Sequence, residues 1–140
     1  MEDSIFTKII KGEIPCYKIA ENDNFIAFLD VNPLQEGHTL VVPKTQIDYI
    51  YDLPEDILSE LFIFSKSVAK KIEDSIKCER IGIVVIGLEV PHAHIHLIPI
   101  NEISDMNFQN KRIELNKDDF QNIRDKTVSY THLTLPTMLM

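Results

Sequence analysis

The chain has 140 residues, of which 44% are hydrophobic and 26% charged, and this ordinary globular composition predicts one domain. Its formal net charge of −8 argues against a general nucleic-acid or membrane-surface binder, because such proteins normally present a basic face. A small anionic ligand is not excluded, since a local pocket of cations or backbone amides can override the overall field.

Other features of the whole chain narrow its class further. No apolar run approaches the roughly 18 residues that a membrane span needs, and the acidic start is unlike a secretory signal. The two cysteines, Cys16 and Cys78, lie far apart and lack metal-ligand spacing. We therefore expect a cytoplasmic protein with reduced thiols.

The first predicted element is a short helix that Asp3 or Ser4 caps and Gly12 ends. Runs rich in β-branched and aromatic residues then predict strands over residues 17–20, 25–29 and 38–42. A long helix is predicted over residues 54–77, because apolar residues recur there at helical spacing.

Two more strands and a helix follow. Residues 81–86 form a nearly continuous apolar run, which predicts a strand covered on both faces. A histidine-containing strand comes next, and a last helix is predicted over residues 116–126. Strands interrupted by two or three helices predict an α+β fold with a mainly antiparallel sheet.

The tail differs in composition from the rest of the chain. Residues 127–140 contain no Asp, Glu, Lys or Arg, while the preceding chain holds all 14 basic and 22 acidic residues. The tail also resembles translated sequencing-adapter read-through, so we expect a domain over residues 1–126 and a gene-model artefact over 127–140. The alternative is a β-prone tail that pairs with a sheet edge.

The chemistry is concentrated in one short run. His92, His94 and His96 alternate with Ala93, Ile95 and Leu97. In a strand this alternation puts three imidazoles on one face and three apolar groups on the other. Because each buried imidazole needs a hydrogen-bond partner, three on one face favour a functional role over simple core packing.

Two functional hypotheses fit three alternating histidines. Two of them and a third ligand can hold zinc; alternatively, one imidazole attacks an electrophile while its neighbours orient it and handle protons. No Asp or Cys follows the run directly, which favours the second hypothesis. A phosphoryl or nucleotidyl centre is the electrophile that best suits an imidazole nucleophile.

The run resembles the His-x-His-x-His signature of the histidine triad (HIT) superfamily, with apolar residues as spacers. The resemblance extends to residues 4–15, 28–33 and 37–44, and in all it covers about residues 3–100. The branch that looks most similar is that of the Hint-like nucleoside phosphoramidate hydrolases, followed by the diadenosine-polyphosphate hydrolases.

The resemblance implies the HIT-like fold, with an antiparallel sheet of about five strands, one long packed helix and a short amino-terminal helix. It implies a homodimer without a cofactor, which hydrolyses or transfers an AMP-like purine nucleotide at its α-phosphate through a nucleotidyl-histidine intermediate. Two alternatives stay open: a nucleotide-binding module with little turnover, and a metalloprotein with histidine ligands.

The resemblance also implies roles for single residues. His94 would be the nucleophile, His96 would bind a phosphate oxygen, and the carbonyl of His92 would accept a hydrogen bond from His94. Asp30 would bind the ribose hydroxyls, and His38 would lie near the site. The residues expected to form an apolar wall for the purine are Ile5, Phe6, Ile9, Phe28 and Val31. For Ile9, core packing explains the residue equally well.

The sequence departs from the family pattern in three ways, one of which is that residues 83–87 run almost straight into the triad where most active members have an Asn and a longer loop. Ser4 and Thr7 stand where many bacterial relatives carry cysteines, so a structural zinc site is not expected there. Leu88 and Glu89 replace polar residues of the nucleotide pocket, and Leu88 offers no side-chain donor. Glu89 would repel a phosphate unless it turns away or meets a cationic leaving amine. The leaving group and the base preference are therefore left open.

Overall fold

The computed structural model describes residues 2–139 of the chain, and for residues 130–139 it describes the backbone alone. Within that range the helices are α1 (Ile5–Ile10), α2 (Glu55–Ser75) and α3 (Lys117–Leu139). The strands are β1 (Lys18–Glu21), β2 (Phe25–Leu29), β3 (Thr39–Pro43), β4 (Arg80–Val84) and β5 (Ile95–Ile100). All pairs are antiparallel, in the order β1-β2-β3-β5-β4, which confirms the predicted α+β fold.

Helix α2 covers one face of the sheet, as its apolar spacing predicts. Leu61, Val68 and Ile72 are buried on this helix and pack in one cluster with Val41 and Ile95 of the central strands. Pro54 precedes the helix, and two acidic residues in its first turn complement the helix dipole. The main hydrophobic core therefore lies between α2 and the sheet.

The opposite face of the sheet carries a smaller apolar cluster beneath α1. Phe6 of α1 packs there with Ile26 and Phe28 of β2 and with Leu40 and Val42 of β3. Because both faces of the central strands are covered, β2 and β3 are buried along their whole length.

Strand β4 corrects one expectation. Residues 81–86 were expected to form a strand covered on both faces, but β4 ends at Val84 and pairs with β5 alone, at the edge of the sheet. Ile83 and Ile86 remain 48% and 43% exposed. An apolar run identifies residues that are suited to burial, but it does not distinguish a central strand from an edge strand.

Helix α3 extends beyond its predicted end at residue 126. Asn116 and Asp119 form a reciprocal capping pair at its start, and the helix continues to Leu139. Thr127 is buried, donates to the carbonyl of Ile123 and lies 2.9 Å from the Ser75 hydroxyl. The backbone of residues 127–139 is thus helical, and the alternative of a tail strand pairing with a sheet edge is wrong. The interpretation of the tail as an artefact stays a prediction.

A membrane-spanning segment was not expected from the sequence. Across the described residues, no helix combines the length and apolar character needed to cross a bilayer.

Candidate active site

A cavity of about 220 Å³ lies at one end of the sheet. Its walls come from the loop after β2, the β4–β5 connection, the start of β5 and the segment between β5 and α3. The residues that line it include Asp30, Asn32, Glu89, His94, His96, Phe108 and Arg112. The structure therefore brings four predicted site residues, Asp30, Glu89, His94 and His96, together with residues that were not predicted, among them Phe108 and Arg112.

The three histidines of the triad are buried, with 0%, 5% and 9% exposure for His92, His94 and His96. The alternation predicted from the sequence is present, since Ala93, Ile95 and Leu97 belong to the core beneath α2. The expectation of one strand carrying all three is wrong, because β5 begins at Ile95.

The early end of the β3–β5 ladder has a specific cause. Val41 pairs with Ile95, so a ladder continued past Val42 and His94 would next join Pro43 to Ala93. Pro43 has no N–H to donate, and its carbonyl accepts a hydrogen bond of 2.7 Å from Nε2 of His92. The N–H of Ala93 donates instead to the carbonyl of Ile47. His92 and His94 thus lie on irregular backbone at the cavity.

Hydrogen bonding determines the tautomer of His94. Its Nδ1 lies 2.7 Å from the carbonyl oxygen of His92, so Nδ1 carries the proton and donates it. Burial lowers the pKa of His94, against smaller raising effects of the His92 carbonyl and the Glu89 charge. The neutral ring therefore keeps an unprotonated Nε2, and the Phe6 ring packs edge-on at 4.9 Å between centroids.

His96 owes its tautomer to a chain of two further groups. The N–H of Leu34 donates to Nδ1 of His38 at 3.0 Å, so the hydrogen of neutral His38 must be on Nε2. That Nε2–H points at Nδ1 of His96, 3.0 Å away. Neutral His96 consequently carries its own hydrogen on Nε2, where it is available as a donor at the cavity wall.

The imidazoles of His38 and His96 are both neutral near pH 7. Burial, reinforced by the neighbouring His96 ring and by Arg112, lowers the pKa of His38 to about 3. Burial, reinforced by His94 and Arg112, lowers the pKa of His96 to about 4. His96 therefore acts as a hydrogen-bond donor and not as a cation.

Among the described residues, one set of three metal-type donors converges, formed by Asp30, His38 and His96 with donor atoms within 4.8 Å. This donor set does not suit a metal ion. Because Leu34 donates to Nδ1 of His38, Nε2 of His38 carries a hydrogen and offers no lone pair. The hydrogen-bond pattern thus disfavours the metalloprotein hypothesis at this position.

A network of hydroxyl and amide groups holds His92. Its Nδ1 accepts from the Ser4 hydroxyl at 2.7 Å, and Ser4 Oγ accepts in turn from the N–H of Thr7 as the cap of α1. The Thr7 hydroxyl donates to Oε1 of Gln46 at 2.6 Å. Ser4 and Thr7 therefore position His92, whose carbonyl accepts the hydrogen bond from His94. Gln46 was not predicted as part of this network.

Asp30 follows β2 and lies at the cavity wall with a side chain 17% exposed. Its Oδ1 accepts from the N–H of Asn32 at 2.8 Å, and Oδ2 lies 3.5 Å from Nε2 of His38. Burial raises the pKa of Asp30, while the Asn32 hydrogen bond and the Arg112 charge lower it. A carboxylate placed in this way can accept hydrogen bonds from vicinal hydroxyls.

The five residues expected to contact a purine occupy different environments, and none lines the 220 Å³ cavity. Phe6 and Phe28 are buried together, edge to face at 5.7 Å. Ile9 packs against the same cluster and is partly buried, which agrees with core packing. Ile5 and Val31 are 50% and 69% exposed, so their side chains can meet a ligand.

Residues 11–103 match the model of the HIT domain. The chain belongs to the HIT family. It is 37% identical over 105 residues to "Protein hit" of Bacillus subtilis, covering 70% of this chain and 71% of that protein. It is 38% identical over 96 residues to the adenosine 5'-monophosphoramidase HNT1 of Saccharomyces cerevisiae, covering 68% of this chain and 61% of the yeast protein.

The fold agrees with that of solved HIT structures. A HIT-like protein of Bartonella henselae, described as involved in cell-cycle regulation, superposes with a TM-score of 0.79 at 26% identity, covering 91% of this chain and 96% of that one. The named relatives support a nucleotide hydrolase at the level of the HIT family.

Two cavity residues of this HIT protein were missed by sequence reasoning. Phe108 and Arg112 lie in the irregular stretch after β5, where no periodic pattern marks them. The Phe108 ring stands edge-on to His96 at 4.9 Å, and the Arg112 guanidinium lies 5.3 Å above Phe108. Glu89, which was expected either to turn away or to meet a cation, lines the cavity. Leu88 lines it too, although its side chain is 88% exposed.

Proposed function

We propose that this HIT protein hydrolyses or transfers an AMP-like purine nucleotide at its α-phosphate, from a nucleoside phosphoramidate or dinucleoside polyphosphate. The observation that carries the proposal is the 2.7 Å hydrogen bond from Nδ1 of His94 to the His92 carbonyl. It leaves a neutral Nε2 lone pair at a cavity whose neighbouring imidazole, His96, is a donor. The monophosphoramidase activity named for the yeast relative supports the same chemistry.

In the proposed reaction, Nε2 of His94 attacks phosphorus and forms a phosphorus–nitrogen bond while the bond to the leaving group breaks. His96 donates Nε2–H to a phosphoryl oxygen as negative charge develops there. Water then attacks phosphorus, the electron pair of the phosphorus–nitrogen bond returns to Nε2, and a nucleoside monophosphate is released. The proton lost by the water balances the proton that an amine leaving group takes up.

The experiment that tests this proposal is detection of the covalent intermediate. Purified protein mixed with an adenosine 5'-phosphoramidate and quenched with alkaline denaturant, which preserves the acid-labile phosphorus–nitrogen bond, is expected to gain the mass of one adenylyl group on His94. A chain that binds the nucleotide but gives neither adduct nor product would instead be a nucleotide-binding module. Glu89 in the cavity is the observation that favours this second candidate, since its carboxylate opposes a phosphate.

Asp30 is proposed to hold the ribose. We expect Asp30→Asn to weaken AMP binding by about 10- to 100-fold, because hydrogen bonds to a charged acceptor are worth that factor. Asparagine keeps an oxygen for the N–H of Asn32, so the loop should stay in place. Calorimetric titration with AMP and its 2',3'-dideoxy analogue checks the assignment. An equal loss of affinity for both ligands would show that Asp30 does not bind the ribose hydroxyls.

We propose a homodimer formed through the edge of β4. Ile83 is 48% exposed on that edge strand, and an uncovered apolar edge is suited to pairing with a second copy. We expect Ile83→Asp to convert the dimer to a monomer in light scattering after gel filtration. Ile63→Asp is the matched control, since Ile63 is 69% exposed but lies on α2 beside Asn22. A monomeric parent protein, or loss of the dimer in the control alone, contradicts this interface.

We also propose a cytoplasmic location. It is supported by Cys16 and Cys78, both of which are free thiols in the described part of the chain.

A further inference from the structure

The segment over residues 107–116, between β5 and α3, folds back onto the loop that carries Asp30. The N–H of Ile113 donates to the carbonyl of Pro33 at 3.0 Å. Nη1 of Arg112 donates to the carbonyl of Asn32 at 3.2 Å. Two bonds to adjacent residues hold the 107–116 segment against the mouth of the cavity, so Arg112 is part of its wall.

Phe108 ties this segment to the imidazoles. Its ring stands edge-on to His96 at 4.9 Å and to His38 at 6.2 Å between centroids. The carbon of the Arg112 guanidinium lies 5.3 Å above the same ring, within the range of a cation–π contact. Phe108 therefore contacts both the Arg112 guanidinium and His96, the residue that is proposed to donate to the phosphate.

Binding a phosphate in this cavity requires a positive charge, because two carboxylates already line the wall. Asp30 and Glu89 bring two carboxylates to its wall, and a nucleotide adds a negatively charged phosphate. His38 and His96 contribute no positive charge, because burial keeps both imidazoles neutral. Among the residues that line the cavity, Arg112 alone is a lysine or an arginine.

The donors of Arg112 suit an anion. A guanidinium has five N–H donors in a planar fork that matches phosphate oxygens. Within the described contacts, one of these groups donates to Asn32 and the cation rests on Phe108. The exposed Leu88 side chain has no hydrogen-bond donor for the phosphate, so a side-chain donor has to come from another segment of the cavity wall.

We infer that Arg112, held over Phe108, binds the phosphate of the nucleotide and offsets the two carboxylates of the cavity. This inference rests on the proposed function and deepens it by assigning the group that recognises the anion. Arg112 also determines specificity, because it favours a nucleotide over the corresponding nucleoside. In the proposed reaction its charge stabilises the phosphoryl oxygens as negative charge develops on them.

The test compares binding of AMP and adenosine, which differ only in the phosphate. We expect Arg112→Gln to lower the affinity for AMP by about 10- to 100-fold, because a charge-assisted hydrogen bond contributes a factor of this size. Adenosine should bind as it does to the parent protein. Arg112→Lys should recover part of the loss, since the charge remains while the fork is lost. Lys111→Gln is the matched control, because it removes the same charge from an exposed neighbouring side chain.

Three results would overturn the inference. The first is that Arg112→Gln lowers the affinities for AMP and adenosine equally, and the second is that it leaves AMP binding unchanged. The third is that Lys111→Gln lowers the affinity for AMP as much as Arg112→Gln does. The first would mean that Arg112 acts by holding the loop at Asn32, and the third that only overall charge matters. A parent protein that binds neither AMP nor its phosphoramidate would instead contradict the proposed function itself.

Discussion

His94→Ala is expected to lower kcat/KM for an adenosine 5'-phosphoramidate by at least about 100-fold, while the affinity for AMP changes only a few-fold. The variant loses the Nε2 lone pair that is proposed to attack phosphorus, but it keeps Asp30, His96 and Arg112. Steady-state hydrolysis and calorimetric AMP titration separate the two effects, and thermal unfolding checks that the variant is folded.

A matched variant distinguishes a nucleophile from a residue that merely fills space. His94→Gly leaves a gap that free imidazole can enter, so added imidazole should restore part of the turnover. In His96→Gly the adenylyl group should still become attached to His94, since His96 is proposed to donate and not to attack. A loss of only a few-fold in His94→Ala would reject His94 as the nucleophile.

Acidification is expected to destabilise the fold well above the pH at which most carboxylates titrate. The pKa of His38 is lowered to about 3 and that of His96 to about 4, against 6.5 in the unfolded chain. Below about pH 6.5 the unfolded state therefore binds protons that the native state does not. The stabilisation is complete above that pH and is lost progressively as the pH falls towards 4.

The size of this effect is set by the number of buried imidazoles. Each one contributes a slope approaching about 1.4 kcal/mol per pH unit once its unfolded form is fully protonated. Urea unfolding between pH 7 and 5 measures this slope before carboxylates dominate. His38→Leu should reduce the slope of the free energy of unfolding against pH by about the contribution of one imidazole, whatever the variant's stability at pH 7. A free energy of unfolding that stays constant from pH 7 to 5 contradicts the neutral, buried state of these rings.

The architecture was predictable where local patterns reflect burial directly. The apolar spacing of α2 and the alternation of Ala93, Ile95 and Leu97 follow from helix and strand geometry, and both recur in the structure. The role of Asp30 came only from the resemblance to the HIT family, while the sequence itself placed this residue at the start of a loop after β2. The resemblance to a known family supplied the expected roles.

What the sequence does not reveal depends on contacts between distant segments. The β3–β5 ladder stops near Pro43 because this proline has no N–H, its carbonyl accepts from the His92 ring, and the N–H of Ala93 donates to Ile47. The edge position of β4 depends on which strands pair, which an apolar run does not determine. Phe108 and Arg112 reach His96 from a segment without periodicity, and their contacts require the chain to fold back on Asn32.

The support of His92 has a practical consequence. Ser4, Thr7 and Gln46 hold this ring through two hydroxyls and one amide. None of these groups loses a ligand to a chelator or forms a mixed disulfide under oxidative stress. The network that holds the His92 ring, and through the His92 carbonyl aligns His94, therefore contains neither a bound metal to be removed nor a thiol to be oxidised.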